Sequence, residues 1–151
     1  MRRLLYPITP SKDSIPTIKS RNKQDRLWRS EACSPRDLIR AVLIEMLPID
    51  DARLLEAHIG VAFGARAAAA PSIAARLREQ CAQLLEFLAA QLRDAQRAGQ
   101  VSAQLDADWP ARGLLALIDS LAMHALMQTN TAEQSLAVFD HHLDRVFADS
   151  G

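Results

Sequence analysis

The sequence predicts an all-α fold, five capped helices behind a basic, irregular amino-terminal arm. Composition is the first reason: Ala and Leu supply 26 and 21 of the 151 residues, against five Gly and seven aromatics. Both residues enter a helix at little cost, whereas strands favour β-branched and aromatic side chains. Periodicity is the second, because apolar residues recur every three or four positions from Leu38 onward, the spacing of a one-sided helix. The third is punctuation: capping side chains, prolines and glycines fall between those runs. With 49% hydrophobic and 24% charged residues, the chain can bury a core, and an all-β or doubly wound α/β domain is excluded.

The arm spans residues 1–33. Residues 1–30 hold eight Lys and Arg against Asp13 and Asp25, so in a chain of zero net charge the remainder sums to −6. Pro7, Pro10 and Pro16 remove backbone donors and disfavour helix just before them, which predicts an extended segment to about Lys19 and at most a short helix over 21–31. Met1-Arg2-Arg3 leads into no apolar export segment, and the most apolar stretch, Gly113–Met127, contains Asp119 and His124. That stretch is shorter than the roughly 18–20 residues a bilayer requires. Cys33 and Cys81 form no CxxC motif and read as free thiols of a reducing compartment, so the expected location is the cytoplasm.

The folded domain is expected over 34–151. Its first helix, 35–47, opens with Ser34 as N-cap, Pro35 at N1 and Asp37 at N3, and stops at Leu47-Pro48. Asp50 caps the second, 51–69, which carries Leu54, Leu55, His58, Ile59, Ala62, Phe63 and Arg66, with Gly60-xxx-Gly64 as a place of close helix approach. Pro71 opens the third, 72–98, which carries Leu77, Cys81, Leu84, Leu85, Leu88 and Leu92 and ends at Gly99. Asp106 or Asp108 caps the fourth, 107–128, and Thr131 with Gln134 forms a capping box for the fifth, 132–148.

The last two helices differ in kind. Residues 112–128 are apolar nearly all round, interrupted only by Arg112, Asp119, Ser120 and His124, and a helix of that kind is buried on most sides. Leu136, Phe139, Leu143, Val146 and Phe147 make a narrower stripe at bundle-seam spacing. Both together predict a helix pair that meets the same pair of a second copy across a two-fold axis, the isologous four-helix bundle. The expected interface residues are Leu117, Ser120, Leu121, His124, Leu136, Phe139, Leu143 and Val146. Burial of the fourth helix at the centre of a monomer remains the alternative.

Catalytic chemistry is not expected. The chain lacks a phosphate-cradling Gly-rich loop, an HExxH and a Gly-x-Ser-x-Gly, and no metal or cofactor is expected. His141 and His142 diverge by about 100° on a helix, and His141 with Asp144 would make only a weak ligand pair. His58 and His124 are expected to be hydrogen-bonded core or interface histidines. Arg66, with no acid within a turn, either pairs with a carboxylate on another helix or holds an anionic ligand.

From Ser34 onward the chain resembles the carboxyl-terminal ligand-binding and dimerisation domain of TetR-family regulators, in particular the BetI-type repressors. The stretches that carry the resemblance are Leu47-Pro48-Ile49-Asp50-Asp51-Ala52-Arg53-Leu54-Leu55-Glu56, Ala62-Phe63-Gly64-Ala65-Arg66-Ala67 leading to Pro71-Ser72-Ile73-Ala74, and Leu105-Asp106 followed by Leu114-Leu115-Ala116-Leu117-Ile118-Asp119-Ser120-Leu121-Ala122. Ser120 stands where the family often has Gly. The resemblance implies a TetR-type regulatory domain whose last two helices form the dimer bundle, and a cavity for a small-molecule effector near Phe63, Arg66, Phe87, Trp109 and Met123. Core packing is the alternative role for each of these five.

Such regulators also carry an amino-terminal helix-turn-helix. Only 33 residues precede Ser34, without a Gly among them, so the sequence is expected to lack that reader, to have no DNA-binding residues of its own, and to be a shortened regulator. It would then act as a homodimer or by pairing with a full-length relative. Two other roles remain open: a helical scaffold module without an effector, and weak, sequence-independent nucleic-acid binding through the basic arm.

Overall fold

The computed structural model describes residues 34–148. The arm at 1–33, with its expected short helix and Cys33, lies outside the described residues. Five helices follow in order: α1 Pro35–Ile44, α2 Asp51–Ala67, α3 Pro71–Arg97, α4 Asp108–Leu126 and α5 Ala132–Ala148. No strand occurs among the described residues, and no helix there is long and apolar enough to cross a membrane.

The expected caps form at both ends of the chain's helices. Ser34 Oγ accepts from the Asp37 amide at 3.2 Å and Asp50 Oδ1 from the Arg53 amide at 2.9 Å. At α5 the capping box is complete: the Gln134 amide donates to Thr131 Oγ1 at 3.1 Å, and the Thr131 amide to Gln134 Oε1 at 2.9 Å. Gly99, at φ +70°, ends α3 in a Schellman turn, its own amide bonding to the Gln96 carbonyl and that of Gln100 to the Ala95 carbonyl. Neither candidate cap for α4 holds the N-cap position, which falls to Ala107 without a side-chain cap; Asp106 takes the Asp108 amide at 3.1 Å just before the helix, and Asp108 is already inside it.

Three helices end two or three residues earlier than their sequence patterns, α4 at Leu126 and not at 128. α1 stops at Ile44 because Pro48 lacks a donor and disfavours helix at the residue before it. Met46 and Leu47 bond instead to carbonyls three residues back, at 3.0 and 3.1 Å, a tightened last turn. The same happens after Ala67, where Ala69 and Ala70 reach back to Arg66 and Ala67 ahead of Pro71.

The core is a single cluster drawn from α1, α3, α4, α5 and the turns beside them. Ile39, Leu43, Leu47, Leu88, Leu92, Ile118, Phe139 and Leu143 have no exposed surface. α4 packs most extensively on α5 and α3. α2 departs from its expected stripe, because its buried residues are Ala57 and Ala67, while Leu54, Leu55 and Val61 face outward, Leu55 at 63% exposure. Alanine bulk, not leucine, sets how α2 lies on α3. The Gly60-xxx-Gly64 motif is not used at its second position, since a methyl added to Gly64 would meet nothing within 4 Å.

Two Arg–Asp clamps tie α1 to α5. Arg40 Nε and Nη2 donate to the two oxygens of Asp140 at 2.6 and 2.9 Å, the parallel geometry that suits guanidinium and carboxylate. One turn away Arg36 Nε reaches Asp144 at 2.9 Å. The Arg40 hydrogen bond holds the Asp140 carboxyl below the usual carboxylate range.

Replacing Asp140 by Asn is therefore expected to cost about 1 kcal/mol at neutral pH, the scale of a half-exposed pair. A group whose folded pKa is depressed stabilises fully above its unfolded value, near pH 4, and loses that contribution as the pH falls through the folded one. Urea titrations of both proteins at pH 7 and pH 3 should show the gap closing at the lower pH. A second expectation concerns Ser135, which is fully buried in α5 with no hydrogen-bond partner for its hydroxyl among the described residues. Ser135→Ala removes an unsatisfied polar group and should stabilise by about 1 kcal/mol, read as a rise in Tm of a few degrees.

Candidate functional site

The surface most unlike an ordinary solvated helix face is the outer half of α4. Ala111, Leu114, Leu115, Ile118 and Leu121 turn inward. Opposite them Trp109, Gly113, Ala116, Ser120, Met123 and Met127 are all exposed, at spacings of four, three, four, three and four. That is the heptad rhythm of a helix–helix seam. The large side chains stand at its ends, Trp109 at 71% and Met127 at 56% exposure. The middle is small, and a methyl added to Gly113 would meet nothing within 4 Å. A helix can approach such a middle closely.

α5 continues this face with Gln134, Val138, His141 and Arg145, again exposed and at four-three-four spacing. His141 and His142 meet edge to face, ring centroids 5.4 Å apart. Between the helices, the α4–α5 turn is locked by His124 and Thr129. The Thr129 hydroxyl donates to the His124 carbonyl at 3.0 Å and lies 2.8 Å from His124 Nδ1. With its only proton so used, the hydroxyl accepts there, so Nδ1 carries the ring proton and Nε2 is left for a partner outside. Gln128 closes the turn at φ 57°, a left-handed conformation that costs a non-glycine residue about 1 kcal/mol. Asp119 stands on the outer half too, where apolar surroundings strip its hydration and raise its carboxyl above the usual range.

Measured against the expected interface, the structure divides the residues into three groups. Ser120 and His124 are exposed on the outer face. Leu117, Leu136 and Val146 are partly buried against the subunit's own core. Leu121, Phe139 and Leu143 face inward with almost no exposed surface in the single subunit. Trp109, Gly113, Ala116 and Met127 share the exposed outer stripe but are not among the expected interface residues. Their spacing was the available signal.

The five expected effector residues are not gathered into one place. Trp109 and Met123 both lie on the outer stripe, 14 residues apart, or about 21 Å along the helix. Phe63 is half-buried on α2, Phe87 is half-buried against the main core, and Arg66 is exposed with no ion pair among the described residues. His58, expected on an apolar face, is exposed, its Nδ1 donating to the Leu54 carbonyl at 2.8 Å.

A groove of about 420 Å³ opens instead between α3 and α4, lined by Arg78, Cys81, Leu85, Glu86, Asp108 and Arg112 over Ala82 and Ala111. Arg93 spans its end, 2.6 Å from Glu86 and 3.6 Å from Asp108. No cluster of three or more metal-ligating side chains occurs among the described residues.

Comparison with known proteins agrees with this architecture. The family model described as the BetI-type transcriptional repressor, C-terminal, matches residues 35–148. The crystal structure of a transcriptional regulator from Rhodococcus sp. Rha1 superposes with a TM-score of 0.67 at 28% identity, covering 83% of this chain and 65% of that one. No curated protein sequence matches the chain. The family is one of transcriptional regulators, not of enzymes, and the present chain spans less than two thirds of the Rhodococcus protein. From the five-helix order and these matches, the chain belongs to the TetR family of transcriptional regulators and carries the BetI-type carboxyl-terminal domain over residues 35–148.

Proposed function

We propose that this chain serves transcriptional regulation as a homodimerising, effector-binding domain, working in the cytoplasm. The supporting observation for pairing is the exposed stripe Trp109–Gly113–Ala116–Ser120–Met123–Met127. An apolar seam with small residues at its centre is poorly suited to water and well suited to a copy of itself. Two α4 helices crossing there, flanked by two α5 helices, close a four-helix bundle in which each stripe covers the other. The same surface would accept a related chain bearing the same seam. Effector binding rests on the family, whose carboxyl-terminal domain the resemblance describes as the ligand-binding one.

Pairing predicts that light scattering returns twice the chain's 16.7 kDa. Ala116→Arg should halve that mass and leave the circular dichroism spectrum unchanged, because Ala116 is exposed in the single subunit and its replacement disturbs no core contact. A parent protein that is monomeric, or a variant that still dimerises, would overturn the reading. For the effector, thermal melts with a small-molecule panel should find compounds that raise Tm, as any ligand of the folded state must.

A further inference from the structure

The α3–α4 groove carries a second, independent feature, and it concerns ligand chemistry. Its floor is apolar, built from Ala82, Leu85 and Ala111. Arg78 enters from one wall and Arg112 from the other, and neither is ion-paired among the described residues. The groove's own acids, Glu86 and Asp108, lie 2.6 and 3.6 Å from Arg93 instead. The groove thus presents two guanidinium groups, unpaired among the described residues, beside apolar side chains. Guanidinium binds planar carboxylates through two parallel hydrogen bonds, and a volume near 420 Å³ lies within the range of small-molecule pockets.

We propose that this groove binds a small organic anion, a carboxylate on a compact apolar body, with Arg78 and Arg112 holding the charge and Leu85 and Ala111 receiving the body. The proposal rests on the effector reading and names the place and chemical class that reading leaves open. Arg66 and Arg145, also outside any ion pair among the described residues, stand on separate helices away from this lining and contribute nothing to it.

Cys81 makes the groove testable, since its thiol is free, exposed and part of the lining. The full-length chain would be treated with iodoacetamide, and alkylation of Cys81 followed by peptide mass spectrometry, with Cys33 measured in the same digests as reference. The probes are octanoate and benzoate, their neutral amides, and inorganic phosphate. At a carboxylate concentration twice its Kd, alkylation of Cys81 should slow about threefold, with Cys33 unaffected. The amides and phosphate should leave both rates unchanged, and Arg78→Gln with Arg112→Gln should abolish protection without altering the circular dichroism spectrum. Equal protection by an amide or by phosphate, protection that survives the double substitution, no protection, or a Cys81 that never reacts would each overturn the proposal. A compound that raises Tm without slowing Cys81 would remove the groove and leave effector binding elsewhere in the domain standing. The mass measurement judges pairing separately.

Discussion

α4 must satisfy two surfaces at once, and the rest of the domain is arranged around that constraint. Its inner half, Leu114, Leu115, Ile118 and Leu121, is the centre of the core and brings α3 and α5 to either side. Among the described residues no helix covers its outer half, where Trp109, Gly113, Ala116, Ser120, Met123 and Met127 are exposed. The residue sizes follow: large aliphatic side chains fill the inner half, where close packing contributes most. Gly113, Ala116 and Ser120 keep the outer half low, as the proposed approach of a second helix requires.

The outer face is useful only if α5 is held at a fixed angle beside α4, and the charged pairs on α1 serve that end. Arg40 with Asp140 and Arg36 with Asp144 occupy the flank of α5 that faces α1. Val138, His141 and Arg145 are left exposed on the other flank of α5. Arg53 does comparable work at the α1–α2 joint, bonding Glu45 at 2.7 Å while its amide is capped by Asp50. α2 itself is loosely committed, with only Ala57 and Ala67 buried. The α3–α4 groove shares α4 with the seam, Arg112 being the residue just before Gly113, so ligand and partner would be read on adjacent sides of one helix.

Local signals in the sequence were strong enough to place every helix. Ser34, Asp50, Thr131 with Gln134, and Gly99 are chemical statements about single backbone groups, and the structure makes each of the bonds they promise. Ends next to Pro48 and Pro71 were harder, because tightened turns continue the apolar pattern past the last α-helical residue. The site was less legible for a physical reason. On a helix with apolar residues all round, hydrophobicity does not say which half is inward, and choosing the largest side chains selects Leu121, Phe139 and Leu143, which the core takes. Size contrast and heptad spacing carried the information instead. The groove was not legible at all, because Arg78 and Arg112 become neighbours only through the rotation of α3 against α4.

If the outer stripe of α4 faces its own copy, as proposed, cross-linking will capture that contact. Single cysteines placed in turn at Gly113, Ala116, Ser120 and Met123, in a background of Cys33→Ser and Cys81→Ser, would be treated with a short bis-maleimide. The account predicts chains joined at twice the mass, with a maximum along the stripe where the two-fold axis passes, and none from a cysteine at exposed Ala65 on α2. Equal yields at Ala65 and along the stripe, or no joined chains at any stripe position, would contradict it.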